Sequence, residues 1–130
     1  MTFYTQYQNG GYNLNNRALG SRYEDLAAAW LEEQGYKILH KNFYSRAGEI
    51  DLIAADERES CSVLVFIEVK YRNSVRTGYA EEAVTRKKQQ AIRYTADFYR
   101  VRYRIPDDIP CRFDVIAFQN GRLRHIENAF

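Results

Sequence analysis

Apolar residues recur at helical spacing from about Arg17 to Gln34, where Leu19, Tyr23, Leu26, Ala27, Trp30 and Leu31 share one stripe. Asn16 is a candidate N-cap and Gly35 a candidate C′ stop. Tyr36 to Tyr44 reads as a strand with Ile38 and Phe43 as its apolar members, and Ser45-Arg46-Ala47-Gly48 as a turn. Two β-branched, apolar runs follow, Gly48-Glu49-Ile50-Asp51-Leu52-Ile53 and Val63-Leu64-Val65-Phe66-Ile67-Glu68-Val69-Lys70, joined by the polar segment Asp56 to Ser60. That pattern predicts an antiparallel hairpin. Facing residues in such a pair have numbers of constant sum. A fold-back centred near Glu59 and Ser60 therefore sets Asp51 opposite Glu68.

Along the second of these strands Leu64, Phe66, Glu68 and Lys70 point one way, and Val63, Val65, Ile67 and Val69 the other. Both faces are apolar for most of its length, which marks a central strand covered on both sides. Tyr71 to Tyr79 is a polar loop. A second helix is predicted from about Ala80 to Arg102, burying Val84, Ala91, Tyr94, Phe98 and Val101. Ile105 to Pro110 is a connector that a helix cannot enter. Arg112 to Phe118 is a strand, Asn120-Gly121 a turn, and Leu123 to Ile126 a closing strand. The order is α-β-β-β-α-β-β, and its strand–helix–strand crossover favours parallel pairing. The expectation is a single α/β domain over residues 17–130, with a central mixed sheet flanked by helices. Residues 1–16, rich in Tyr, Gln, Asn and Gly, read as a weakly ordered N-terminal tail.

Composition narrows the function classes. The chain has 130 residues and a net charge of only +2, so charge alone does not announce a nucleic-acid binder. No run approaches a membrane span, and the N-terminus has neither the basic region nor the apolar core of a secretory signal. Cys61 and Cys111 lack zinc-ligand spacing and read as reduced thiols of a cytoplasmic protein.

A doubly covered strand carries charge only at an exposed end or in a site, and Glu68 and Lys70 sit at the end of one. Asp51 and Glu68 on adjacent strands place two carboxylates where one Mg²⁺ or Mn²⁺ would be held, with the Val69 carbonyl as a further ligand. Lys70 then points at an attacking water or a scissile phosphate. Glu49, on the same face as Asp51, is an auxiliary acid. Glu24 lies beside the apolar stripe of the first helix, and the residue pattern alone reads it as a solvated charge. His40 receives no role. From Lys70 to Arg104 ten basic residues oppose three acids, a local +7 with tyrosines interleaved. Arg72 and the stripe Arg86, Arg93 and Arg100, with Lys88 beside it, form a candidate nucleic-acid surface. A solvated amphipathic helix explains the stripe about as well. Cleavage of phosphodiester bonds is the leading function, and non-catalytic nucleic-acid binding by the basic second helix is the alternative.

Five blocks resemble the YraN-like family of bacterial proteins: Gly48 to Ile53, Phe66 to Arg72, Ala83 to Gln89, Cys111 to Phe118, and the closing Asn128-Ala129-Phe130. The resemblance covers about Arg17 to Phe130. That family is similar to the restriction-endonuclease-like PD-(D/E)xK superfamily and to archaeal Holliday-junction resolvases. The resemblance implies that fold, the triad Asp51, Glu68 and Lys70, and Glu24 as a further catalytic acid rather than a solvated charge. It favours Lys88 over Lys87. It also implies a metal-dependent endonuclease acting on DNA, branched or single-stranded, as a homodimer. The proline of the superfamily's name is absent, and Ile50 precedes Asp51.

Overall fold

The computed structural model describes residues 2–6, 16–72 and 84–130. Its elements are β1 (Thr2–Gln6), α1 (Asn16–Glu33), β2 (Tyr36–Ser45), β3 (Gly48–Asp56), β4 (Val63–Arg72), α2 (Arg86–Arg102), β5 (Cys111–Gln119) and β6 (Arg122–Ile126). Among the described residues the strands form one sheet, in the order β1-β6-β5-β4-β3-β2. Only β4 and β5 run parallel, joined through α2; the other neighbours are antiparallel. From α1 onward this is the expected α/β order and mixed sheet.

The N-terminal segment departs from expectation. It contributes β1, paired antiparallel with β6, where no element was predicted. Thr-Phe-Tyr-Thr-Gln is β-prone, and pairing covers what would otherwise be the open edge of β6. The rest of the tail up to residue 15, most of the polar loop after β4, and residues 80–83 of the expected second helix lie outside the described residues.

β4 is interior, with both faces buried as the apolar pattern predicts. On one side Val65 and Ile67 join Leu52, Ala54, Ile116 and Phe118 beneath Tyr23, Ala27, Ala28 and Leu31 of α1. On the other, Leu64 and Phe66 join Ile53, Val115 and Ala117 beneath Ile92, Ala96 and Tyr99 of α2. The β3–β4 ladder runs from Asp56–Val63 to Leu52–Ile67. Its constant sum is that of Asp51 and Glu68, so the expected register holds.

The face of α2 does not. Thr85 is its N-cap, its hydroxyl accepting from the Lys88 N–H at 3.2 Å, and the helix begins at Arg86. Ile92, Thr95, Ala96 and Tyr99 are its buried residues, whereas Tyr94, Phe98 and Val101 are 40%, 45% and 79% exposed. The exposed stripe flanks the edge strand β2, with Phe98 against Phe43 and Arg46 over the Tyr94 ring. Small Thr95 and Ala96 let the helix lie close on the sheet. Thr95 is tolerated there because its hydroxyl bonds Ala91 O and Ser45 Oγ, each at 2.8 Å.

Left-handed backbone shapes two of the turns next to these elements. Asn120 and Gly121 have φ of 53° and 71°, matching the predicted Asn-Gly hairpin turn between β5 and β6. Gly35, with φ of 99°, ends α1, and a Cβ there would sit 3.3 Å from Arg58 Cγ. Gly35→Ala is expected to cost about 1–2 kcal/mol, read as a lower thermal midpoint by circular dichroism; an unchanged midpoint would contradict this account of the α1 stop.

Among the described residues no helix is long and apolar enough to cross a membrane. At the sheet end where β5 begins, a partly buried ionic cluster joins β5 to β2, β3 and the segments that follow β3 and β6. Arg112 grips Asp114 through two bonds of 2.9 Å and reaches Asp56 Oδ2 at 3.1 Å and the Tyr36 hydroxyl at 2.8 Å. Arg58 bonds Asp56 and Glu127.

Candidate functional site

The site lies where β3 and β4 cease to pair. Past Leu52–Ile67 the Asp51 carboxylate takes the place of a ladder bond, its Oδ2 accepting from the Val69 N–H at 2.8 Å. A strand residue sends its N–H and C=O toward the same neighbour, so the Val69 carbonyl also faces β3 there. A cavity of about 430 Å³ opens at this point. Glu24, Leu19, Gly20 and Tyr23 of α1 line it, with Glu49 and Asp51 of β3, Glu68 to Tyr71 of β4 and Lys88 of α2. Tyr23 stacks on Tyr71 with centroids 4.3 Å apart, pinning α1 to the end of β4 beside Glu24 and Lys70.

Asp51 and Glu68 are buried, at 7% and 4% exposure. Glu68 Oε1 receives Lys70 Nζ at 3.1 Å and Lys88 Nζ at 3.7 Å. Its Oε2 is buried with no hydrogen-bond partner. Four carboxylates thus share a cavity with two ammonium groups. Burial, then the Glu68 charge, pushes the Asp51 carboxyl up to about 8, although the Val69 N–H bond works the other way. Burial also raises Glu24, helped by the charges of Glu49, Asp25 and Glu68 and opposed by a hydrogen bond from Asn42. The cavity is short of positive charge where the carboxylates converge.

That shortage is the fit for a cation. Among the described residues no group of three or more acidic, His or Cys side chains forms a ready cage. A hard divalent ion such as Mg²⁺ does not need one, since one or two carboxylates, waters and substrate oxygens suffice. Asp51, the unpartnered Glu68 Oε2 and the Val69 carbonyl are the atoms suited to hold it.

The structure therefore brings Asp51, Glu68, Lys70, Val69, Glu24, Glu49 and Lys88 to one cavity. The arginines are dispersed. Arg72 ends β4, half-buried, and Arg86 is exposed at the start of α2. Arg93 lies over the Phe113 and Phe130 rings at 4.6 and 5.7 Å. Arg100 is bound to the carbonyls of Pro106, Asp107 and Ile109 and to Cys111 Sγ. At 1.5 Å per residue it stands about 18 Å down the helix from Lys88. Arg93 and Arg100 thus secure the C-terminal residues and the connector, and the stripe does not continue the cavity.

Two features went unread in the sequence. Asn42, which bonds Glu24, has φ of 53° inside β2. Asp114 and His125 are fully buried and bond at 2.7 Å. For Asp114 the signal was present: an acid within the apolar run Phe113 to Phe118, the same anomaly that singled out Glu68.

Fold and cavity together define an α/β domain that gathers acids and lysines at the end of an interior strand. The chain belongs to uncharacterised protein family UPF0102, whose profile matches residues 23–118. It is similar to a UPF0102 protein of Lachnoclostridium phytofermentans, 44% identical over 117 residues, covering 90% of this chain and 96% of that one. A UPF0102 protein of Chlorobium phaeobacteroides is 46% identical over 122 residues, covering 86% and 93%. One of Persephonella marina is 41% identical over 111 residues, covering 85% and 91%.

Proposed function

We propose that this protein is a metal-dependent endonuclease that hydrolyses DNA phosphodiester bonds, at branched or non-duplex structures, and that its fold belongs with the restriction-endonuclease-like superfamily. The observation that carries the reading is the Asp51–Glu68 pair, buried side by side with one Glu68 oxygen unpartnered and Lys70 on the other. A bound Mg²⁺ or Mn²⁺ would supply charge neutralisation at the phosphate and a more acidic water. Asp51, Glu68 and the Val69 carbonyl would hold it. Lys70 orients the attacking water or steadies charge developing on the phosphate. Lys88, from the first turn of α2, approaches the same Glu68 oxygen as Lys70, at 3.7 Å, and suits a neighbouring phosphate oxygen. Glu24 and Glu49 complete the acidic wall, as auxiliary acids. Arg72 and Arg86, nearest the cavity in sequence and element, extend contact along the backbone.

Cys61 and Cys111 are exposed free thiols, as suits a reducing cytoplasm. Action on a symmetric junction calls for two copies, so the same reading expects a homodimer. The test is incubation with four-way junction, flap, single-stranded and duplex DNA, with Mg²⁺, Mn²⁺ or EDTA. Cleavage is expected only with the cation, and to fall roughly 100-fold or more in Asp51→Asn and Glu68→Gln. Salt-sensitive binding that survives EDTA and Asp51→Asn, without cleavage, would replace this reading with that of a binding module.

A further inference from the structure

The arrangement of β2 beside the cavity follows from one residue. Asn42 stands between the pairs Lys41–Leu52 and Phe43–Ile50, which places it across the ladder from Asp51. It is a non-glycine residue in left-handed backbone, with φ of 53°, inside a strand. That region is disfavoured for most side chains, and asparagine is among the few that adopt it. The consequence is visible in where the neighbours go. Consecutive side chains of a regular strand point to opposite faces. Here Lys41 reaches α1, its Nζ 3.2 Å from Asp25 Oδ1, and the next residue, Asn42, also reaches α1, where it bonds Glu24. Alternation resumes at Phe43, which packs in the cluster under α2. Adjacent residues of β2 therefore clip adjacent residues of α1. An ionised carboxylate only accepts hydrogen bonds, so the Asn42 amide donates and Glu24 receives.

We infer that Asn42 is a positioning residue of the site: its left-handed backbone turns the amide onto Glu24 and fixes that carboxylate beside the Asp51–Glu68 pair. The inference rests on the metal-site reading above and assigns Glu24 its orientation. Without the amide, Glu24 faces three other acids of the cavity and loses the bond that opposes their repulsion, and it swings toward solvent. Its negative charge is then lost from the field that draws a cation to Asp51 and Glu68.

The experiment is Mn²⁺ titration by calorimetry on the full chain, which does not depend on cleavage, with thermal midpoints taken in metal-free buffer. The variants are Asn42→Gly, Glu24→Gln, the Asn42→Gly/Glu24→Gln double, and Asp51→Asn as reference. Glycine keeps the left-handed backbone and removes the amide, so the midpoint stays near wild type while Mn²⁺ binding weakens about tenfold. The double variant binds no more weakly than Glu24→Gln alone, because Asn42 acts through Glu24. Wild-type affinity in Asn42→Gly, or additive losses in the double variant, would overturn the inference and leave the metal site standing. Absence of Mn²⁺ binding to the wild type, or binding unchanged in Asp51→Asn, would remove both.

Discussion

Asp51→Asn melts at a higher temperature than the wild-type protein at pH 7.5 in EDTA, and it loses the stabilisation that Mg²⁺ or Mn²⁺ gives the wild type. The sign follows from the Asp51 carboxyl, whose proton is held up to about pH 8 by burial and by Glu68. A carboxyl raised in the folded state is harmless below its unfolded value near 3.8. As pH rises through the window between that value and about 8, the unfolded chain ionises and the folded one resists, so stability falls by about 1.4 kcal/mol per pH unit at most. Above the window the loss is complete and constant. Asparagine removes the ionisation while its Oδ1 still accepts the Val69 N–H, and its amide can donate where the Asp51 carboxyl now meets Glu68. With relaxation and water entry the net gain is about 1–3 kcal/mol. The cation does for wild type what asparagine does covalently: at 100 times its dissociation constant it adds about 2.7 kcal/mol. The two effects must therefore trade off, with the variant higher in EDTA and its margin reduced or reversed in saturating metal. A variant that melts below wild type at pH 7.5 in EDTA would mean the carboxylates are not in conflict, and the argument for a cation between them would fail.

The same residues show what a sequence can and cannot disclose. Asp51 and Glu68 were legible because hairpin register follows from the position of a polar turn, and because a charged residue on a doubly covered strand stands out. The buried face of α2 was not, because hydropathy favours the largest apolar side chains. Tyr94, Phe98 and Val101 make a regular stripe, yet close packing on the sheet selected Thr95 and Ala96 instead. A buried hydroxyl is invisible to such a reading until Ser45 and the Ala91 carbonyl are in place beside it. Asn42 escaped for a related reason. An asparagine in a strand reads as a weak strand former, and only its left-handed backbone and its reach to Glu24 give it meaning. The arginine stripe was legible only as a spacing. Spacing by seven puts residues on one helical face, but whether that face meets solvent, rings or carbonyls depends on the connector folding back onto Arg100.

The largest loss of stability is expected from Arg112→Met, far from the cavity. Arg112 joins Asp114, Asp56 and the Tyr36 hydroxyl, linking β5 to the ends of β2 and β3. Asp114 has no exposure at all and also receives His125 Nε2 at 2.7 Å and the Asn128 N–H at 2.9 Å. Methionine fills much of the arginine's volume but supplies no donor, so a buried carboxylate loses its best partner; such removals cost about 3–5 kcal/mol. The pH dependence separates this cause from simple loss of packing. Burial works to raise the Asp114 carboxyl, but the bonds from His125, Arg112 and the Asn128 N–H outweigh it and hold it below the usual range. Bonds from Arg58, against a lesser effect of burial, with further help from Arg112, hold Asp56 lower still. A depressed carboxyl contributes stability that is fully present above the unfolded value of 3.8 and is lost as pH falls through the folded one. Arg112→Met should thus be most destabilising near pH 7, with the gap to wild type closing below pH 4 as both proteins take up the same protons. Urea denaturation at pH 7, 5, 3.5 and 2.5 measures this directly. A gap that stays constant across that range would assign the effect to packing rather than to the buried charge.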